Sequence, residues 1–117
     1  MKMPAGLLKS RFRKNFKLDA QDHDYLSTRG MEVIHSHALD FIQKRLAPAV
    51  IPNDGKQTPY KGHPVFKAQH ATATCCRNCL RKWYRIPKGR SLTAKEVEEV
   101  VNIVLLWIDS QNSLAGQ

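Results

Sequence analysis

The sequence predicts a single domain with an all-α fold, and three observations support that prediction. No segment shows the period-two alternation of apolar and polar residues that is typical of a strand. Apolar residues recur instead at spacings of three and four, most clearly between Val97 and Ile108. The chain of 117 residues has the length of one domain and is long enough to bury a hydrophobic core. We therefore expect residues 1–117 to form a small single-domain bundle of about five helices.

The first part of the chain predicts three helical segments. The basic N-terminal segment, residues 1–17, has three apolar side chains at four-residue spacing and is expected to contain a short helix. A second helix is expected between an aspartate N-cap at position 19 and the glycine at position 30. A third covers residues 31–46, where an Ala-Pro pair follows the apolar repeat and ends it.

A long loop separates these helices from the C-terminal part of the chain. Residues 47–64 contain four prolines and two glycines, which prevent a regular helix. Loops of this length in a compact domain are usually functional or poorly ordered. The Cys/His region and the C-terminal helix follow over residues 65–110. A short helix is expected after Pro64 and another over residues 74–84.

The last helix is expected to have a wide apolar face. Thr93 and Glu96 form a capping box at its start. Its core stripe consists of Val97, Val100, Val101, Val104 and Ile108. Three more apolar residues widen the stripe, namely Ile103, Leu106 and Trp107. The helix is therefore expected either at the centre of the core or in a homodimer contact.

The charge is strongly positive and unevenly distributed. Nineteen Lys and Arg residues against ten Asp and Glu residues give a formal net charge of +9. Residues 1–17 contain six cations and no anion, and residues 55–95 contain ten cations and no anion. Such a field favours a polyanionic partner, which we expect to be nucleic acid or an acidic protein surface.

The sequence also predicts a cytoplasmic protein with no membrane partner. Its most apolar run, from Val100 to Ile108, has nine residues, far fewer than a bilayer span needs. The N-terminal cations are not followed by the apolar stretch of a secretion signal. Three clustered cysteines without such a signal indicate thiols in a reducing compartment.

All three cysteines lie in the stretch HATATCCRNCLRKW, residues 70–83. Cys76 and Cys79 have the two-residue separation common among zinc ligands, and two histidines lie upstream. We therefore predict a zinc site formed by His63, His70, Cys76 and Cys79. The spacing differs from that of common zinc fingers. Substitute ligands for the same site are Cys75, His37 and His35.

Two other interpretations of these cysteines remain open. Cysteine is often buried and packs like a small hydrophobic residue, here beside Leu80 and Trp83. Alternatively, Cys75 is a nucleophile activated by the N-terminus of its helix, with His70 as its base. The protein would then be a small enzyme, using either this Cys/His pair or a zinc-bound water.

The cysteine region also has the order helix, turn, helix, and its cations suit phosphate contacts. The candidate nucleic-acid contacts are Arg77, Arg81, Lys82, Arg85, Lys88 and Arg90. Arg77, Arg81 and Arg85 are expected on one outward face because they follow at four-residue steps. The turn HATAT lacks the glycine expected in a helix-turn-helix motif.

Three strings, NDGKQTP, KGHPVFKAQHATATCCRNCLRKW and IPKG, resemble the small bacterial family catalogued as domain of unknown function 4186. The resemblance extends from about Phe12 to the last helix. It implies a soluble bacterial or phage-encoded protein without an established activity. Relatives often have histidine where this chain has Tyr84, which implies that this position is not an indispensable ligand or base.

The function predicted from these observations is that of a zinc-stabilised binding module. Its basic surface is expected to engage nucleic acid or an acidic protein. One alternative is the small enzyme described above. The other is a phage-type interaction or inhibitor protein whose cationic face binds a partner protein.

Overall fold

The computed structural model describes residues 1–115, including every side chain except those of Leu8 and residues 113–115. A 3₁₀ turn, Ala5–Lys9, precedes six α-helices. These are α1 (Arg11–Lys14), α2 (Ala20–Arg29), α3 (Met31–Arg45), α4 (Pro64–Ala71), α5 (Arg77–Tyr84) and α6 (Ala94–Ala115). The described residues contain no strand, which confirms the all-α prediction. None of the described helices combines the length and the apolar character that crossing a bilayer requires.

The helix ends predicted from capping residues are confirmed at α2 and α6. Asp19 and Asp22 exchange side-chain-to-backbone hydrogen bonds of 2.9 Å at the start of α2. That helix ends at Gly30, whose φ of 82° favours glycine. Thr93 and Glu96 form the corresponding box before α6, with hydrogen bonds of 2.9 and 3.1 Å. Local sequence therefore determines both ends of α2 and the start of α6.

Helix α6 lies at the centre of the core, where it packs against α3 and α4. Its predicted core stripe is buried throughout. Of the three residues that widen the stripe, Ile103 is buried, Trp107 is half-buried and Leu106 is 64% exposed. Contacts within one chain therefore account for most of the wide apolar face. A homodimer through this helix stays a prediction.

The long loop between α3 and α4 is held by Arg77, the first residue of α5. This side chain is only 2% exposed. Its guanidinium donates hydrogen bonds of 2.7–3.4 Å to the carbonyls of Leu46, Ala47, Pro48 and Pro87. The backbone N–H of Arg77 donates to Asp54 Oδ1 at 3.1 Å. The loop is thus tied at two points to the start of the helix that carries Cys79.

Candidate metal centre

The three cysteine sulfurs converge where the turn after α4 meets α5. Cys75 lies in the turn, Cys76 is the N-cap of α5, and Cys79 lies in its first turn. The Sγ atoms all lie within 4.8 Å of one another, and those of Cys75 and Cys79 are 3.6 Å apart. Cys76 Sγ accepts a hydrogen bond from the backbone N–H of Cys79 at 3.4 Å. All three cysteines are free thiols, and Cys75 and Cys76 are buried.

The turn that presents Cys75 is closed by hydrogen bonds from outside it. Ala73 adopts a left-handed conformation, with φ of 59°, which reverses the chain after α4. The side-chain amide of Gln69 donates to the carbonyl of Thr74 at 3.0 Å. The hydroxyl of Thr58, in the long loop, donates to the carbonyl of Cys75 at 2.8 Å. The sulfurs are therefore positioned by buried polar contacts on both sides of the turn.

Arg13 of α1 lies against the sulfurs and was not among the predicted site residues. Its Nη2 is 3.2 Å from Cys79 Sγ, and its Nη1 is 3.6 Å from Cys75 Sγ. Nη1 also donates to the carbonyl of His70 at 2.6 Å. The sequence shows only that Arg13 belongs to a segment without anions, since its place beside the sulfurs depends on how α1 packs.

The electrostatics of the cluster favour a thiolate at Cys79. The pKa of Cys79 is lowered because the thiols of Cys75 and Cys76 donate hydrogen bonds to its sulfur, and because Arg13 lies beside it. The pKa of Cys75 is raised by its hydrogen bonds with Cys76 and Cys79 and by burial. The alternative interpretation as an enzyme expects the activated thiol at Cys75, whereas these interactions favour Cys79.

His70 makes contacts other than those expected of a metal ligand. Its Nε2 donates to the carbonyls of Thr58 and Pro59 at 3.0 and 3.1 Å, so this nitrogen carries a proton. The ring stacks on Phe16 and Tyr60, with centroid distances of 5.4 and 4.4 Å. Burial lowers the pKa of His70. The histidine therefore helps fix the long loop against α4.

His63 is the N-cap of α4, and its Nδ1 accepts a hydrogen bond from the N–H of Val65 at 3.0 Å. Its Nε2 then carries the proton and donates to His37 Nδ1 at 3.0 Å. Burial and the neighbouring His37 lower the pKa of His63 to about 4. His35, named above as a substitute ligand, is exposed on α3. Three aromatic rings surround the His63 ring, those of Tyr25, Phe41 and Phe66.

The structure does not bring the predicted ligands His63, His70, Cys76 and Cys79 together as one group. Within the described part of the chain, the three cysteine sulfurs are the group of three or more Cys, His, Asp or Glu donor atoms close enough to share an ion. The physical reason is that both histidine rings are engaged elsewhere, one as a helix cap and one with loop carbonyls. Cys75, expected as a substitute, belongs to the group, whereas the substitutes His37 and His35 do not.

The three sulfurs suit a single thiophilic ion. Tetrahedral zinc with Zn–S bonds of about 2.3 Å places its sulfurs roughly 3.8 Å apart. The distance of 3.6 Å between the sulfurs of Cys75 and Cys79 is close to that value. An iron–sulfur cluster would spread its thiolates over several iron atoms. Three thiolates around a divalent ion leave one negative charge, which the adjacent Arg13 guanidinium offsets.

Part of the predicted basic face is not exposed. Arg77 is buried and donates to backbone carbonyls, so it does not share an outward face with Arg81 and Arg85. Arg90 makes a bidentate ion pair with Glu96, in which Nη1 and Nη2 lie 2.7 and 2.9 Å from the two carboxylate oxygens. The other candidate contacts are exposed, namely Arg81, Lys82, Arg85 and Lys88. Four of the six predicted contacts are therefore exposed, and one of these four, Lys88, is ion-paired with Asp54 at 3.3 Å.

A family model described as a domain of unknown function, DUF4186, matches residues 2–109. The chain belongs to the DUF4186 family. The match confirms the resemblance over nearly the whole chain. No solved structure matches this DUF4186 protein. Because the family description assigns no activity, the function of this DUF4186 member must be argued from the geometry of its own site.

Proposed function

We propose that this DUF4186 protein is a binding module whose fold is fastened by a zinc ion at Cys75, Cys76 and Cys79. The observation that supports this function is the convergence of three free thiols within 4.8 Å at one turn. Thiolate ligands favour zinc or copper(I) over hard ions such as magnesium. Persistent thiolates also suit the reducing cytoplasm that we expect for this protein.

The ion would link parts of the chain that lie far apart in the sequence. The turn before α5 and the first turn of α5 would be joined directly by the thiolates. Helix α1 would be joined indirectly, because Arg13 contacts two of the sulfurs. A structural zinc ion contributes on the order of 10 kcal/mol to folding. Among the described residues, no His, Cys, Asp or Glu completes a tetrahedral set with these cysteines, so the fourth ligand would be water or a small exogenous group.

Elemental analysis of untagged protein, purified without chelators, tests this proposal. We expect about one zinc per chain, and its loss in Cys75→Ser and Cys79→Ser. His63→Asn is the matched control, because asparagine preserves the helix cap and this histidine lies outside the sulfur group. Protein that contains no stoichiometric metal, or metal lost in His63→Asn but kept in the cysteine variants, would contradict the proposal.

The partner that the surface supports is a polyanion. Ten cations without an anion occupy residues 55–95, and four of the cations predicted to contact nucleic acid are exposed. We expect the purified protein to retain nucleic acid at low salt and release it at high salt. Retention of an acidic protein in place of nucleic acid would identify the other predicted partner class.

A further inference from the structure

Two exposed aromatic side chains lie next to each other on the surface. The protein has two Trp, three Tyr and four Phe residues, all in the described part of the chain. Only Phe12 and Tyr60 among them are more than half exposed, at 51% and 60%. Their ring centroids are 6.3 Å apart, with the planes at 86°. Large exposed aromatic groups in contact with one another are typical of a binding surface.

Other aromatic rings pack against Phe12 and Tyr60. Phe16 packs edge-on against Phe12 at 5.2 Å and stacks with Tyr60 at 6.4 Å. Tyr60 also stacks on His70 at 4.4 Å with an interplanar angle of 17°. We call Phe12, Phe16 and Tyr60 the aromatic platform. Because its rings are held by other rings, little conformational entropy is lost when a flat ligand stacks on them.

Exposed cations lie close to the platform in the sequence. Arg11, Lys14, Lys17 and Lys61 are all within two residues of one of its members. The first acidic residue after the N-terminus is Asp19, and Asp19 and Asp22 share an ion pair with Lys67, which offsets one of their two negative charges. Residues 1–17 and 55–95, which contain the platform, have no anion, so the sequence around its rings is positively charged.

We infer that the aromatic platform binds single-stranded nucleic acid, with bases stacked on Tyr60 and Phe12 and phosphates contacted by the flanking cations. This inference rests on the polyanion partner proposed above and specifies its chemistry. A duplex keeps its base faces stacked and would use only the cations. An acidic protein surface would bring carboxylates to the faces of the rings, whose π electrons repel negative charge.

Fluorescence anisotropy with a labelled single strand of about 12 nucleotides tests the inference. We expect Tyr60→Leu, which keeps an apolar side chain but removes the ring, to weaken binding about tenfold. Tyr60→Trp should retain the affinity because it keeps an aromatic face. Leu106→Ala is the matched control, since Leu106 is similarly exposed, at 64%, on α6. The complementary duplex should bind less tightly than the single strand.

The salt dependence distinguishes the platform from the face on α5. Lys14→Gln should reduce the slope of log Kd against log salt by about 0.7 for one lost phosphate contact. Single-strand binding that is insensitive to Tyr60→Leu but abolished by Arg81→Gln with Lys82→Gln would overturn this inference and leave the proposed polyanion partner intact. Equally tight binding to poly-glutamate or to duplex would also overturn it. No binding to any polyanion would overturn both.

Discussion

At the scale of single residues, Arg77 combines a full charge with almost complete burial. Removing a guanidinium from water costs several kcal/mol unless its donors find acceptors. Here its two Nη atoms find acceptors in the carbonyls of residues 46–48, at the start of the long loop, and of Pro87, which follows α5. The side chain therefore joins two irregular segments. Its position makes the geometry of the loop dependent on the start of α5.

We expect Arg77→Ala to lower the free energy of unfolding by about 3 kcal/mol or more, because it leaves several buried carbonyls without donors. Arg77→Lys should recover only part of this loss, since an ammonium cannot reach both segments. Arg81 is exposed on the same helix. Arg81→Ala should therefore change the free energy of unfolding by about 0.5 kcal/mol at most. Urea denaturation provides the measurement, and equal effects at both positions would contradict the assigned role of Arg77.

His63 makes stability depend on pH. Its pKa falls from 6.5 to about 4 on folding. The free energy of unfolding is therefore highest above about pH 6.5, where the ring is neutral in both states. It decreases as the pH falls from 6.5 through 4, because the unfolded chain binds a proton more readily than the folded one. We expect the wild type to lose up to about 3 kcal/mol from this source over that window. His63→Asn keeps a helix cap but cannot be protonated, so its stability should vary less across the same window. Parallel pH profiles of the two proteins would contradict this explanation.

At the scale of elements, the sequence predicted the helices better than the site. Capping residues and apolar spacing were sufficient for α2, α3 and α6, because those features act within one element. The third sulfur was ranked only as a substitute, because Cys75 precedes α5 and is brought in by the left-handed turn at Ala73. The hydrogen bonds of His63 and His70 were not predicted, because their partners depend on the path of the long loop. Tertiary contacts, which no local pattern reports, determined the site.

Helix α1 is too short to be stable alone, and Arg13 is one of its few anchors. We expect Arg13→Met to reduce zinc retention about tenfold, since it removes a charge and hydrogen bonds next to the thiolates. It should also expose the N-terminal segment to proteases. Arg11→Met, at an exposed position of the same helix, should change neither property. Competition with a chromogenic chelator measures zinc retention, and limited proteolysis measures exposure of the N-terminal segment. Equal results for Arg13→Met and Arg11→Met would contradict the role of Arg13.

At the scale of the whole molecule, stability has an apolar and a polar source. The apolar core contains residues of α2, α3, α4, α5 and α6 and includes Leu80, the neighbour of Cys79. The cysteine turn, the long loop and α1 are also held by buried or partly buried hydrogen bonds. An ion that binds only the folded chain stabilises all of it by mass action.

Metal removal should therefore lower the melting temperature. With zinc at a thousandfold excess over its Kd, the stabilisation is about 4 kcal/mol, which corresponds to roughly 15 °C for a domain of this size. Adding EDTA should reverse the shift, and Cys76→Ser should show no response to either reagent. Differential scanning calorimetry measures both effects. A wild-type melting temperature indifferent to zinc and EDTA would contradict the stabilising role of the ion.

Arg13 touches both halves of this proposed machinery, because its guanidinium lies 5.2 Å from the centroid of Phe12 as well as against two cysteine sulfurs. If the ion changes how Arg13 is held, the two proposed binding equilibria would be thermodynamically linked. Occupancy by the ion would then change the affinity for a stacked strand by some factor. The strand would change the affinity for the ion by the same factor. The affinity of the protein for nucleic acid would then depend on the available metal concentration.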